Sequence, residues 1–137
     1  MGIVGIGVDV CEIDRLRRAL VRAGFRRRVF SDTEVRYCNR RAHPEIHFAA
    51  RFAAKEAYFK ALGTGWSGGI GWRDVSVRAR RAGAPTLCVD GAAARASKAL
   101  GVSRSHLSLS HSGEYAVAVV VLEAADRPRG IRARRRR

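Results

Sequence analysis

The sequence predicts an α+β domain, with helices packed on a mostly antiparallel sheet. Three observations carry that expectation. Period-2 and period-3.6 stretches follow one another in the order β-α-α-α-β-β-α-β-β, with no regular βαβ alternation. The last two strands flank Ser112-Gly113, a tight hairpin signal and so an antiparallel pair. A chain of 137 residues, 47% of them hydrophobic, makes one domain with a core of its own.

Each element has its own signal. Residues 3–8 form a short strand interrupted by Gly5 and Gly7. Residues 10–23 carry Ile13, Leu16 and Leu20 at helical spacing and stop at Gly24. Ser31 with Glu34 three residues on is a capping box that opens a second helix. Pro44 suits the first position of a third, which contains "RFAAKEAYFKALGTG" and stops at Gly63. "GTGWSGGIGW" is a Gly-rich loop, and "DVSVRA" and "TLCVD" are short strands around a turn at "RAGAP". Residues 92–100 form a short helix before Gly101, and "HLSLSH" and "EYAVAVVVLE" are the closing strands. The last of these is apolar on both faces, at Ala118, Val119, Val120 and Val121. A strand covered on both sides needs more elements than this chain offers, so a closed symmetric oligomer is expected.

Composition excludes several classes. No run of 18 apolar residues exists, so no membrane span is expected. The N-terminus has no basic segment before its apolar stretch, and so is not a signal peptide. Cys11, Cys38 and Cys88 lack C-x-x-C spacing and read as reduced thiols of a cytoplasmic protein. The net charge is +15, from 27 Lys and Arg against 12 Asp and Glu. Residues 126–137 hold seven Arg and one Asp; residues 124–137 read as a basic disordered tail behind a domain of residues 1–123. The remaining positive charge points to an acidic partner: nucleic acid, a phosphorylated cofactor or an acidic protein.

The helix around residue 55 raises the question of function. It is apolar nearly all round, as a buried helix is. Yet it bears Arg51, Lys55, Glu56 and Lys60, and buried charges are rare unless paired or used. Glu56 and Lys60 are spaced i, i+4, as an intrahelical ion pair would be, but their neighbours Ala49 and Ala53 leave room for close approach. Arg51 and Lys55 repel each other and suggest an anion between or beside them, phosphate being the obvious one. Gly63-Thr64-Gly65 adds backbone N–H groups suited to the same anion. Asp9 ends a glycine-containing strand; with Glu12 it reads either as a helix cap or as a carboxylate aimed into a crevice. Other motifs fail. "GIGVDV" has Val10 where a dinucleotide fingerprint needs glycine. Ser110 and His111 are adjacent on a strand, so they face opposite ways and form no catalytic dyad. His43 and His47 straddle the helix start and make a poor metal pair.

Four blocks together carry a resemblance: "GIGVDVCEIDR", "RFAAKEAYFKALGTG", "AGAP" and "LSLSHSGEYAVAVVV". In this order and spacing, over about residues 2–123, they resemble the holo-acyl-carrier-protein synthases, small 4′-phosphopantetheinyl transferases. The resemblance implies transfer of phosphopantetheine from coenzyme A to a serine of apo acyl carrier protein, with magnesium, releasing adenosine 3′,5′-bisphosphate. The carrier would belong to fatty acid or polyketide biosynthesis. It implies Asp9 and Glu56 as metal ligands and Lys60 at the pyrophosphate. Arg51 and Lys55 would serve coenzyme A phosphates, which the backbone N–H groups read at Gly63 and Thr64 would also suit. Gly83, Pro85 and His111 would lie near the nucleotide, across a subunit boundary of a trimer. Arg15 would dock the carrier protein.

The residues suit that chemistry. A hard cation takes one or two carboxylates plus substrate phosphates. Phosphoryl-type transfer needs positioning and charge neutralisation more than covalent help. The base for the serine is Glu56 or a water that it holds. Arg15, Arg18 and Arg22 are spaced i, i+3, i+7 and would line one ridge for an acidic carrier. Two rival readings are a basic nucleic-acid-binding protein and a structural scaffold. The first expects aromatics among the basic residues, and the Arg-rich end has none. The second leaves Asp9, Glu56 and Lys60 unexplained.

Overall fold

A computed structural model of the chain describes residues 2–63, 67–81 and 83–125. Strand β1 (Gly2–Glu12) leads to helices α1 (Ile13–Leu20), α2 (Phe25–Val29), α3 (Asp32–Asn39) and the long α4 (Pro44–Leu62). A 3₁₀ turn at Trp72–Asp74 precedes β2 (Val75–Arg78) and β3 (Thr86–Val89). Then come α5 (Gly91–Ala99), β4 (Val102–Ser112) and β5 (Tyr115–Ala124). The α+β expectation holds, with two antiparallel sheets: a three-stranded one in the order β1-β5-β4, and the β2-β3 pair.

Helix α4 is the hub of the core. Pro44 occupies its first turn, and Gly63, at φ 71°, ends it in the left-handed conformation that glycine tolerates. Phe48, Ala49, Ala53, Ala54 and Ala57 on this helix are all fully buried. It lies on the three-stranded sheet against Ala116, Ala118, Val120 and Leu122 of β5, also fully buried. Small residues let the backbones approach. A Cβ on Gly5 would stand 1.9 Å from the Ala61 carbonyl oxygen, and one on Gly7 1.8 Å from that of Ala57. The two glycines are therefore contact points with α4, and they bring the β1 backbone within reach of its polar face.

On the opposite face of the sheet, the β1 and β5 surface is apolar and uncovered, while β4 adds the polar His106, Ser108 and Ser110. Ile6, Val8 and Val10 of β1 are each more than half exposed, and Tyr115 and Val119 of β5 continue the surface. The two-faced apolar strand read from the sequence is thus the central strand, covered by α4 on one side only.

Several local expectations change. β1 runs to Glu12 rather than ending at residue 8, because Val10 and Cys11 stay in register with Val117 and Ala116. Asp9 is therefore a strand residue and caps no helix; the residue before α1 is Glu12, whose side chain makes no cap hydrogen bond. Ser31 and Glu34 do form the capping box. The closing hairpin turns at Gly113 and Glu114, one residue later than Ser112-Gly113, with positive φ at Gly113 alone, as a type II′ turn requires. Thr64, Gly65 and, from residue 126 on, the basic tail lie outside the described residues.

Candidate active site

Asp9, Glu56 and Lys60 meet at one cavity of about 440 Å³. β1 presents Asp9 on the same face as Gly5, Gly7 and Cys11, two residues apart each time. Glu56 and Lys60 are one turn apart on α4. The close glycine contact therefore sets Asp9 beside them. Lys60 Nζ donates to Asp9 Oδ1 at 2.9 Å and to the Val8 carbonyl at 3.1 Å. The i, i+4 spacing suggested Glu56 as its partner; the hydrogen bond goes across to the strand instead. Phe52, one turn before Glu56, joins Leu16 and Phe25 in the apolar wall.

The electrostatics are those of a shared anionic point. Burial pushes the Glu56 carboxyl above its usual range, the charge of Asp9 pushes it further, and Lys60 partly opposes both. The Asp9 hydrogen bond raises Lys60 in turn, so this amine stays charged through neutral pH. Cys11 lines the same cavity, but burial, reinforced by Asp9, raises its thiol to about 11, so it is no nucleophile at neutral pH. Among the described residues no three His, Cys, Asp or Glu cluster closely enough to hold a metal by themselves. The fit is to a hard cation on two carboxylates that completes its shell from substrate oxygens.

Arg15 and Arg22 also line this cavity, whereas Arg18 does not. α1 ends at Leu20, so Arg22 lies beyond it and the expected three-residue helical ridge is not continuous. All three side chains are exposed.

A second set of expected residues gathers elsewhere. Arg51, Gly83, Pro85 and His111 line a separate pocket of about 190 Å³, with Tyr37 and His47. Arg51 and Lys60 are nine residues apart on α4 and so point to opposite sides of it. Arg51 is only 4% exposed. Its guanidinium lies 4.1 Å from the centre of the Tyr37 ring, one nitrogen reaches the His47 carbonyl at 3.5 Å, and Nε has no hydrogen-bond partner. Arg51, with this buried donor unsatisfied, lines a small pocket where its guanidinium suits an anion. Tyr37 and His47 were not singled out for this place. Burial, then Arg51, Arg41 and His111, hold His47 below its ordinary pKa. Spacing was the available signal, since His47 and Arg51 are i, i+4.

Lys55 is a correction. The sequence pairs it with Arg51 as a phosphate ligand, but its side chain is wholly buried. Nζ donates to Glu34 Oε1 at 2.8 Å, to the Trp72 carbonyl at 3.1 Å and to the Val75 carbonyl. All three protons are used, so none remains for a phosphate. The anion beside Lys55 is the chain's own Glu34. Gly63 is exposed and lines neither pocket.

Comparison with known proteins places the chain in a family. Residues 5–120 match the model of the 4′-phosphopantetheinyl transferase superfamily. The chain belongs to that superfamily. It is 50% identical over 124 residues to a holo-[acyl-carrier-protein] synthase of Nitratidesulfovibrio vulgaris, covering 89% of this chain and 99% of that one. Its fold matches the crystal structure of the Neisseria meningitidis holo-[acyl-carrier-protein] synthase with a TM-score of 0.80 at 31% identity, over 89% of this chain and 99% of the other. A holo-(acyl-carrier-protein) synthase from Bacillus anthracis, solved in complex with CoA (3′,5′-ADP), matches at TM-score 0.74 and 37% identity, over 90% and 98% of the two chains.

Proposed function

We infer that this chain transfers the 4′-phosphopantetheine group of coenzyme A to a serine of apo acyl carrier protein, the activity of a holo-[acyl-carrier-protein] synthase. One observation carries the reading beyond family membership: Asp9, Glu56 and Lys60, brought together from a strand and a helix in one cavity.

Asp9 and Glu56 are the residues that would hold magnesium, which when bound would supply positive charge to the pyrophosphate. The serine oxygen attacks the β-phosphorus, and the bond from that phosphorus to the bridging oxygen breaks. Adenosine 3′,5′-bisphosphate leaves with the oxygen. Glu56 is the carboxylate placed to accept the serine proton. Lys60, held by Asp9, lends charge to the departing phosphate. Leu16, Phe25 and Phe52 form an apolar wall on one side of these charges, while Lys60 stays open to solvent until substrate covers it.

The second pocket would supply the nucleotide half, with Arg51 as its cation and His111, Gly83 and Pro85 beside it. The two half-sites face opposite sides of α4, so one molecule of coenzyme A would span two copies of the chain. The uncovered apolar face of the sheet supports the same assembly, a trimer. Arg15 and Arg22 sit at the cavity mouth, where an acidic carrier protein would dock; Arg18 adds long-range attraction. The described cysteines are all free, which fits a cytoplasmic enzyme.

Chromatographic release of adenosine 3′,5′-bisphosphate from coenzyme A tests this reading. Release should need apo carrier protein and stop when its acceptor serine is replaced by alanine. Release that ignores the carrier would mean hydrolysis rather than transfer.

A further inference from the structure

We propose that the buried Lys55–Glu34 pair is a positioning device for the transfer site, acting through Trp72 and Phe52. The inference rests on the functional reading above.

The connections run in one direction. Glu34 is 1% exposed and serves three donors: the Ser31 N–H and Lys55 Nζ at Oε1, and the Val77 N–H at Oε2. Lys55 spends its two remaining protons on the Trp72 and Val75 carbonyls. The pair thereby ties the start of α3, the middle of α4 and the entry to β2 at a single point. The Trp72 carbonyl belongs to the residue whose indole stacks on Phe52, at 5.0 Å between centroids and 26° between planes. The same indole meets Phe59 edge-on at 5.8 Å. Phe52 in turn walls the cavity one turn from Glu56. Two buried opposite charges are a costly way to hold a chain segment, since apolar residues of similar volume often serve as well. What this pair adds is direction. It fixes the Trp72 backbone, and with it the ring behind Phe52, against the helix that carries Glu56 and Lys60. A shift of about 1 Å in such a wall is enough to cost about a hundredfold in rate.

The test uses the full chain and variants that remove the device without leaving a lone buried charge. Lys55→Met with Glu34→Gln discharges both partners and frees the Trp72 and Val75 carbonyls. Trp72→Leu removes the ring that backs Phe52. Both should fold with native circular dichroism. Each should lower kcat for carrier loading by about tenfold or more, with KM for coenzyme A within about twofold. Because they act along one path, combining them should lower kcat no further than the worse of the two. An unchanged kcat in either variant, additive losses, or a raised KM for coenzyme A at constant kcat would overturn the proposal. The last result would restore Lys55 to the phosphates. Acrylamide quenching of Trp72 in a Trp66→Phe background gives a readout free of activity. Quenching should rise in the Lys55→Met, Glu34→Gln variant, and unchanged quenching would also overturn the proposal. Should the double substitution fail to fold, Trp72→Leu alone decides by its kcat. A wild-type chain that loads no carrier at all would instead refute the proposed function, and the quenching result would still judge the tie between the pair and Trp72.

Discussion

Asp9 lies in mid-strand with its carboxylate on Lys60, and that placement removes the helix-cap reading the D-x-x-E spacing allowed. Asp9→Asn should leave the melting temperature nearly unchanged, since a half-exposed ion pair contributes about 1 kcal/mol or less. It should reduce carrier loading at least about a hundredfold, a loss of about 2.7 kcal/mol in transition-state stabilisation. Kinetics beside a thermal melt will separate the two effects, and near-normal loading would remove Asp9 from the site. Glu56 offers a reading independent of activity. Its carboxyl is raised by burial and by Asp9, so in the metal-free protein it should titrate above the ordinary carboxylate range. The sign follows: ionising Glu56 opposes folding as pH rises through that raised value. A bound cation must reverse this, so magnesium should move the titration downward when it is followed by carbon-detected NMR. A titration indifferent to magnesium would speak against Glu56 as a ligand. At this scale residue type and spacing singled out Asp9, Glu56 and Lys60 but left Asp9 open as a helix cap, and only the family resemblance joined the three in one site. Lys55 was not, because its partner Glu34 is 21 residues away and already had a local role in the capping box. Helix periodicity shows that a charge is buried, but not which distant group it meets.

Elements place these residues, and the decisive contact is between β1 and α4. Gly7→Ala puts a methyl group 1.8 Å from the Ala57 carbonyl, where backbone rather than a flexible side chain must yield. It should destabilise the fold by about 1–3 kcal/mol or more, as overpacking does. It should also cut activity in the fraction that stays folded, because Asp9 moves away from Glu56 and Lys60. Chemical denaturation and kinetics on one preparation will show both, and a stable, fully active Gly7→Ala would contradict the close-contact account. The sequence showed two glycines interrupting this strand without saying what packs against them. Most elements were legible from period and punctuation, down to the Ser31 box, Pro44 and Gly63. β1 was read too short because the helix pattern of Ile13, Leu16 and Leu20 was extended backward, while the ladder to β5 holds the chain extended through Glu12. β4 begins at Val102 rather than at residue 106, because Ser103, Arg104 and Ser105 have little strand preference and are held by pairing with β5. α2 was missed for the opposite reason: five residues with three arginines show no apolar period.

For the whole molecule, the account requires assembly. The face formed by Ile6, Val8, Val10 and Val119 is continuous, apolar and exposed in the single chain. Light scattering at micromolar concentration should give three times the chain mass of 15.0 kDa, and a monomer mass would contradict the trimer. If the half-sites join across copies, subunits mixed from Asp9→Asn and His111→Ala parents, each weak alone, should regain part of the activity, since some interfaces then carry neither substitution. No recovery after verified subunit exchange would place the whole site within one chain. The central claim is the transfer itself, and intact-protein mass spectrometry of apo acyl carrier protein incubated with this protein, coenzyme A and magnesium tests it most directly. The account predicts a gain of one phosphopantetheine on the carrier, absent when Glu56→Gln replaces the wild type. A carrier whose mass stays unchanged with the folded wild-type protein would contradict it.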